Sequence, residues 1–370
     1  GMWLNISTSF PDADESSRDN YVKTVNLADG PDAVGTITPF LPANYFGTIT
    51  YESSNPDVVS VNSSGKTTVN GVGTAKITIS GTSYTAADKS VYYADDSVSY
   101  KVIVTSGMAD FTKDPEMAAK LLAANGGSAV WDADSKTLTI ENINFVAPKI
   151  DDNNPETRAV IMPGNSTIVL KGKNTISFAE GETNGTSAIE FAGGTSYRGT
   201  IKGSGDNLGE GSLEIKGKMT AAVKFSGIGY FYGGTVIADV QNTQSAASGA
   251  IYDADILHFY DGAKLDLNYS GSRGAAIYGK SSVYFENSTV DASADLDNSG
   301  YAVLSGGLLK IDRTTLNADV SAATLGSTAI QSKYDITINY STLDINAAGP
   351  EGGKGISVTN GSIVLKAITY

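Results

Sequence analysis

Tyrosine recurs in this chain at repeating intervals. Tyr230, His258 and Tyr284 lie 28 and 26 residues apart, Tyr232 and Tyr260 stand two residues after the first two, and Glu286 takes the corresponding third place. Tyr252 and Tyr278 form a further pair 26 residues apart. A ring with an apolar face and a polar tip can stack on a pyranose while bonding its hydroxyls. Tyr230, Tyr232, Tyr252, His258, Tyr260, Tyr278 and Tyr284 are therefore the candidate ligand-binding set. The competing reading is structural, because tyrosine suits strands and aromatic ladders stabilise sheets without a ligand.

A second series is acidic. Asp266, Asp291, Asn317 and Asp344 recur with the same period, with Asp319 and Asn346 two residues further on. Carboxylates a few ångströms apart repel by about 1 kcal/mol per pair in water, and a bridging cation would relieve this. Calcium is the natural candidate, with Asp266, Asp291, Asp319 and Asp344 as its ligands and a uronic-acid chain as a second partner. The alternative is a solvated acidic face that discourages aggregation. The acidic loops at 12–15 and 151–154 lack the glycine and final glutamate of an EF-hand.

Other chemistry has little material. The chain has no cysteine, and His258 is its single histidine, which leaves almost nothing for thiolate sites, His-based zinc sites or Ser-His-Asp triads. A polysaccharide lyase or hydrolase would need carboxylates, or a basic residue beside calcium, gathered on one face. Lys224 near Glu190, and Lys310 near Asp312 and Arg313, read instead as ion pairs on a polar sheet. Against 26 Lys and Arg stand 40 Asp and Glu, a net charge of −14. Such a chain repels nucleic acid and anionic membranes. There is no run of 18 apolar residues, hence no transmembrane helix.

These residues are positioned by a repeat. A small residue followed by Ile or Val recurs as Ala159-Val160, Ala188-Ile189, Ala222-Val223, Ala250-Ile251, Ala276-Ile277, Ala302-Val303, Ala329-Ile330 and Gly355-Ile356, at intervals of 29, 34, 28, 26, 26, 27 and 26. A second short strand is centred on Phe231, Phe259, Phe285, Ile311 and Ile338, and a third on Val236, Leu265, Val290, Leu316 and Leu343. Each has an apolar centre with outward neighbours. Three strands in so short a period leave no room for a helix, which excludes a leucine-rich-repeat horseshoe, and a propeller blade needs about 40 residues. The expected fold is all-β. Residues 128–370 form a right-handed parallel β-helix of about eight turns with three short strands per turn, and the first, incomplete turn begins near Ala129-Val130-Trp131 and Leu138-Thr139-Ile140.

Two stretches resemble known families. Trp131 to Asn142, then Ser166 to Ile176, with repeats such as Gly249-Ala250-Ile251-Tyr252, are similar to β-helical carbohydrate-binding domains of bacterial (Bacteroides-like) surface proteins. That resemblance implies binding of acidic plant polysaccharide with calcium. Nearer the N-terminus, Ser53-Ser54-Asn55-Pro56-Asp57-Val58-Val59-Ser60-Val61, Ser64-Gly65-Lys66 and Gly71-Val72-Gly73-Thr74-Ala75-Lys76-Ile77-Thr78 resemble the bacterial Ig-like group 2 domain. It implies a β-sandwich over 1–106 serving as a stalk on a secreted or outer-surface bacterial protein. The insert from Thr82 to Asp96 departs from the short final hairpin usual there.

Residues 107–127 read as a linker or capping helix. Asp114 can cap it, Pro115 suits its first turn, and Met117, Ala118, Leu121 and Leu122 make an apolar face that could plug the open end of the array. The abrupt Gly1-Met2 start reads as the trimmed end of a secreted protein, with a lipid anchor possible at the lost N-terminus. The expected function is a non-catalytic surface module that binds polysaccharide. An adhesive rod recognising a protein or host glycan is the alternative, and a divergent lyase comes third.

Overall fold

The structure is a computed structural model, and it describes residues 2–3, 6, 19–71, 73–105, 107–147, 157–178 and 184–366. The acidic loops at 12–15 and 151–154 lie outside the described residues. The chain divides into two units, Gly1–Gly107 and Met108–Tyr370.

In the first unit a four-stranded sheet runs Val22–Asn26, Asp96–Thr105, Gly73–Gly81, Ile49–Ser53, antiparallel except for the first pair. Alternation does the sorting: Ala75, Ile77 and Ile79 of one strand and Val98, Tyr100, Val102 and Val104 of its neighbour all face the core. The hairpin Val59–Val61/Thr67–Val69 is closed by Asn62-Ser63-Ser64-Gly65, where Asn62 Oδ1 accepts from the Ser64 and Lys66 amides, both at 2.9 Å. Gly65 has φ +80°, and a side chain there would meet the Ile37 carbonyl. Within the insert, Tyr84–Thr85 and Tyr92–Ala94 pair antiparallel. Tyr93 is buried edge-on against Tyr45 and donates to Asn44 Oδ1 at 2.5 Å.

The second unit is a β-solenoid of about eight turns. Strands stack in parallel and in register on their copies in the next turn, forming three sheets. The first contains the file Val160, Ile189, Val223, Ile251, Ile277, Val303, Ile330, Ile356. The second carries Ile201, Phe231, Phe259, Phe285, Ile311, Ile338. The third carries Leu213, Val236, Leu265, Val290, Leu316, Leu343. Most of these are fully buried, and inter-turn backbone bonds satisfy the chain while the apolar files fill the interior.

The first turn differs from expectation. Ser128–Asp132 pairs antiparallel with Thr137–Glu141 instead of joining the parallel array. Asp132 Oδ1 accepts from the Asp134 amide at 3.0 Å, a side-chain turn that reverses the chain. The first sheet starts earlier in sequence, where Ala109–Asp110 pairs with Val160 and Ile161. Helix Pro115–Ala123 is capped by Asp114, which accepts from the Met117 amide at 3.1 Å. Its Ala118, Leu121 and Leu122 are buried where it packs on Ala109–Asp110, Ser128–Asp132 and Asn144–Ala147, the earliest strands of the array. The helix and the reversed strand together cover that end.

One corner recurs. The residue directly after the second-sheet strand has positive φ in turn after turn: Gly233 (59°), Asp261 (54°), Asn287 (47°), Arg313 (47°) and Tyr340 (46°). The left-handed conformation turns the chain sharply into the third sheet, at a cost of about 1–2 kcal/mol for a non-glycine residue such as Tyr340.

Candidate functional site

The strand Ile228–Tyr232 buries Gly229 and Phe231 and turns Tyr230 and Tyr232 outward. The next turn aligns His258 with Tyr230 and Tyr260 with Tyr232, and the turn after aligns Tyr284 with His258. The rungs impose a short spacing, and the rings answer it by turning face to face. Tyr230 and His258 stack at 4.6 Å with planes 4° apart, and His258 and Tyr284 at 4.9 Å and 11°. Tyr230 also stacks with Tyr232 at 5.6 Å, and Tyr232 meets Tyr260 at 5.7 Å. Behind them Phe231, Phe259 and Phe285 stack at 5.0 and 4.9 Å on the inner face.

The remaining two candidates stand apart. Tyr252 and Tyr278 pack against each other at 5.0 Å on the first sheet, with no ring contact to the five-ring ladder. Between the two groups the register shifts around Asp253, whose φ is +64° and whose carboxylate sits 3.9 Å from Lys224 and 3.7 Å from Lys280. Lys224 thus pairs with Asp253, while Glu190, its register neighbour, is held by Arg158 at 3.5 Å.

Both ends of the ladder are charged. The Arg198 guanidinium lies 5.5 Å over the centre of the Tyr230 ring, covering its outer face. After Tyr284 the file continues to Lys310, whose Nζ is 2.8 Å from Glu286 Oε1. Arg198 escaped the sequence reading because its strand, Arg198–Lys202, has isoleucine as its inward apolar residue and no aromatic residue within it. Extending the second-strand register one turn back would have found it.

Burial favours the neutral forms of Tyr260, Tyr252 and His258. Burial, then Glu286 and the neighbouring phenols, push Tyr260 up to about 12. Burial, then Asp253, does the same for Tyr252, also to about 12. Burial holds His258 below its ordinary value against the opposing pull of Glu286. Its Nδ1 lies 2.5 Å from the Tyr260 hydroxyl. These groups are hydrogen-bonding edges at neutral pH, not phenolate nucleophiles. Glu286 and Asp312 are register neighbours, but each already holds a cation, Lys310 at 2.8 Å and Arg313 at 3.6 Å.

The acidic series lies on the third sheet. Asp266, Asp291, Asn317 and Asp344 align on successive turns, and all are exposed. Asp319 belongs to a different file, beside Ser293 and Asn346. The carboxylates are interleaved with donors: Asn317 Nδ2 donates to Asp291, Asn346 Nδ2 to Asp319 at 3.2 Å, and Asn268 Nδ2 to Asp266 at 3.4 Å. Among the described residues, no three acidic or histidine side chains converge as ion ligands.

No described helix is long and apolar enough to cross a membrane. No curated protein and no solved structure matches the chain. One stretch of the first unit does have a known counterpart, enclosing the motifs at 48–80: residues 46–85 match the family model of the intimin immunoglobulin-like domain.

Proposed function

We propose that this chain is a non-catalytic module of a secreted or surface-exposed bacterial protein that binds saccharide along the outer edge of the second sheet. The Ig-like unit acts as the stalk, and a lipid anchor is one way of holding it to the cell. The observation that carries this reading is the five-ring ladder, Tyr230, Tyr232, His258, Tyr260 and Tyr284, which lines up polar ring edges across three turns. Its stacked faces are occupied by neighbours, so recognition would use hydroxyl and imidazole edges rather than ring faces. Calcium has a subordinate place in this reading. Asp266 and Asp291 are carboxylates on adjacent turns, but they belong to the other sheet.

The covered ring faces also favour a second reading, a rod whose ladder is purely structural and whose partner is a protein or host glycan bound elsewhere. Calorimetry against a panel of neutral and acidic oligosaccharides separates the two, using wild type and a Y230F/Y260F/Y284F variant. Phenylalanine keeps the stack and removes the hydroxyls. Binding by wild type and its loss in the variant supports edge recognition. Equal binding by both proteins, or none by wild type, removes it.

A further inference from the structure

The two ends of the solenoid are finished differently. At the first, helix Pro115–Ala123 and the reversed strand Ser128–Asp132 cover the core. At the other, strands Thr342–Ala348, Gly353–Val358 and Ile363–Lys366 each pair with the turn beneath and with no described strand beyond. The apolar files reach the surface there. Leu343, Ile345 and Ala347 are half-buried, whereas their counterparts one turn below, Leu316, Ala318 and Val320, are fully buried. On the second sheet Ile336 is fully buried, but Ile363 above it is 46 % exposed and Leu365, the next inward residue, 56 %. A recess of about 410 Å³ opens beside Leu365 and Lys366, lined also by Ile338, Tyr340 and Leu343. Free backbone edges beside apolar side chains invite a further strand.

Two charges mark the same corner. Asp344 continues the acidic file, but it lacks the amide donor that Asp266 and Asp291 each have. Lys366 lines the recess. Among the described residues neither side chain joins an ion pair or a hydrogen bond.

The open end is stepped. Three strands make one turn, so Thr342–Ala348 lies lowest, Gly353–Val358 a third of a turn higher, and Ile363–Lys366 highest. We propose that a second copy of this chain docks on this end, about a two-fold axis through Gly353–Val358. That axis sets the lowest strand of each copy on the highest of the other and the middle strand on itself. All three edges then pair antiparallel at one strand spacing. Placing Lys366 opposite the partner's Asp344 sets Leu365 opposite the partner's Ile345 and Ile363 opposite the partner's Ala347. Apolar residues meet inside and opposite charges outside, and the symmetry makes the ion pair twice. A standard interface takes about 20–30 residues from each side, and the last turns here repeat every 26 or 27. Because the first end is covered, association closes at two copies instead of growing into a filament. The inference stands independently of the saccharide reading.

Sedimentation equilibrium of the full 370-residue chain over a wide concentration range is the test. The expected result is a reversible passage from the mass of one chain to that of two. Leu365→Asp puts a carboxylate into the contact and should leave a monomer. Leu365 is already half-exposed, so that monomer should melt as the wild-type chain does. Lys366→Asp and Asp344→Lys should each weaken the dimer about tenfold, and K366D/D344K should restore it, because each symmetric contact is then reversed and not lost.

A chain monomeric at every concentration, or a mass that grows past two copies, would overturn the inference. So would a dimer untouched by Leu365→Asp, or single reversals that have no effect or are not rescued in the double variant.

Discussion

The second and third sheets of the solenoid share one backbone plan and carry opposite surfaces. On the second, outward side chains in successive turns are alike, and likeness is favourable: Tyr230, His258 and Tyr284 stack at 4.6 and 4.9 Å. On the third, likeness would be unfavourable, and the acidic file is broken by an amide. Asn317 stands between Asp291 and Asp344 and donates to Asp291. A parallel solenoid sets every outward side chain about 4.8 Å from its copy. Aromatic rings can use that distance, and carboxylates must dilute it. The outer faces therefore satisfy their own neighbours before any ligand arrives.

The largest expected effect contrasts the inner and outer stacks of the second sheet. Phe259 is fully buried between Phe231 and Phe285, and Phe259→Ala should cost about 3–5 kcal/mol in the solenoid's denaturation transition. Tyr284→Ala, at the end of the half-exposed outer stack, should cost about 1 kcal/mol. Comparable losses would mean that the outer rings contribute as much as the core.

A smaller effect probes the third sheet. Asn317→Asp places carboxylates on four successive turns, Asp266 to Asp344, and should destabilise by about 0.5–1 kcal/mol at pH 7. The loss should shrink in 1 M salt. Calcium should raise the melting temperature of this variant more than that of wild type. No change on substitution would show that the amide is not what makes the acidic file tolerable.

The smallest effect is one of pH. Burial lowers the folded pKa of His258, so the unfolded chain takes up a proton first. Its contribution to stability is intact above the unfolded value near 6.5 and is lost as pH falls from there through the folded pKa. The difference in melting temperature between wild type and His258→Gln should therefore narrow or reverse on acidification. A constant difference would mean that the ring titrates alike in both states.

Much of this was legible from spacing alone. The eight small-apolar pairs from Ala159-Val160 to Gly355-Ile356 lie in register as their intervals require, and Tyr230, His258 and Tyr284 share a file because each is one position before a central phenylalanine. Other features left little trace. Tyr252 and Tyr278 lie on the first strand as their spacing requires, but the irregularity at Asp253 that parts them from the ladder carries no sequence signal. Arg198 caps the ladder from a strand with no aromatic signal. The left-handed corners fall on Gly233, Asp261 and Asn287, which favour that conformation, but equally on Arg313 and Tyr340, which do not. There the corner is imposed by the turns stacked alongside, not by the local residue.

By itself, the sequence determined the period, the inward and outward faces of each strand, and the order of residues along every outward file. These follow from two-residue alternation and a repeat of nearly constant length. Only the tertiary structure decided how those side chains meet. It turned the tyrosine rings toward one another instead of toward solvent, set Asn317 against Asp291, and reversed Ser128–Asp132 into a cover for the first turn. The reason is that ring orientation and donor pairing depend on contacts between residues some 26 positions apart, which exist only once one turn has stacked on the next.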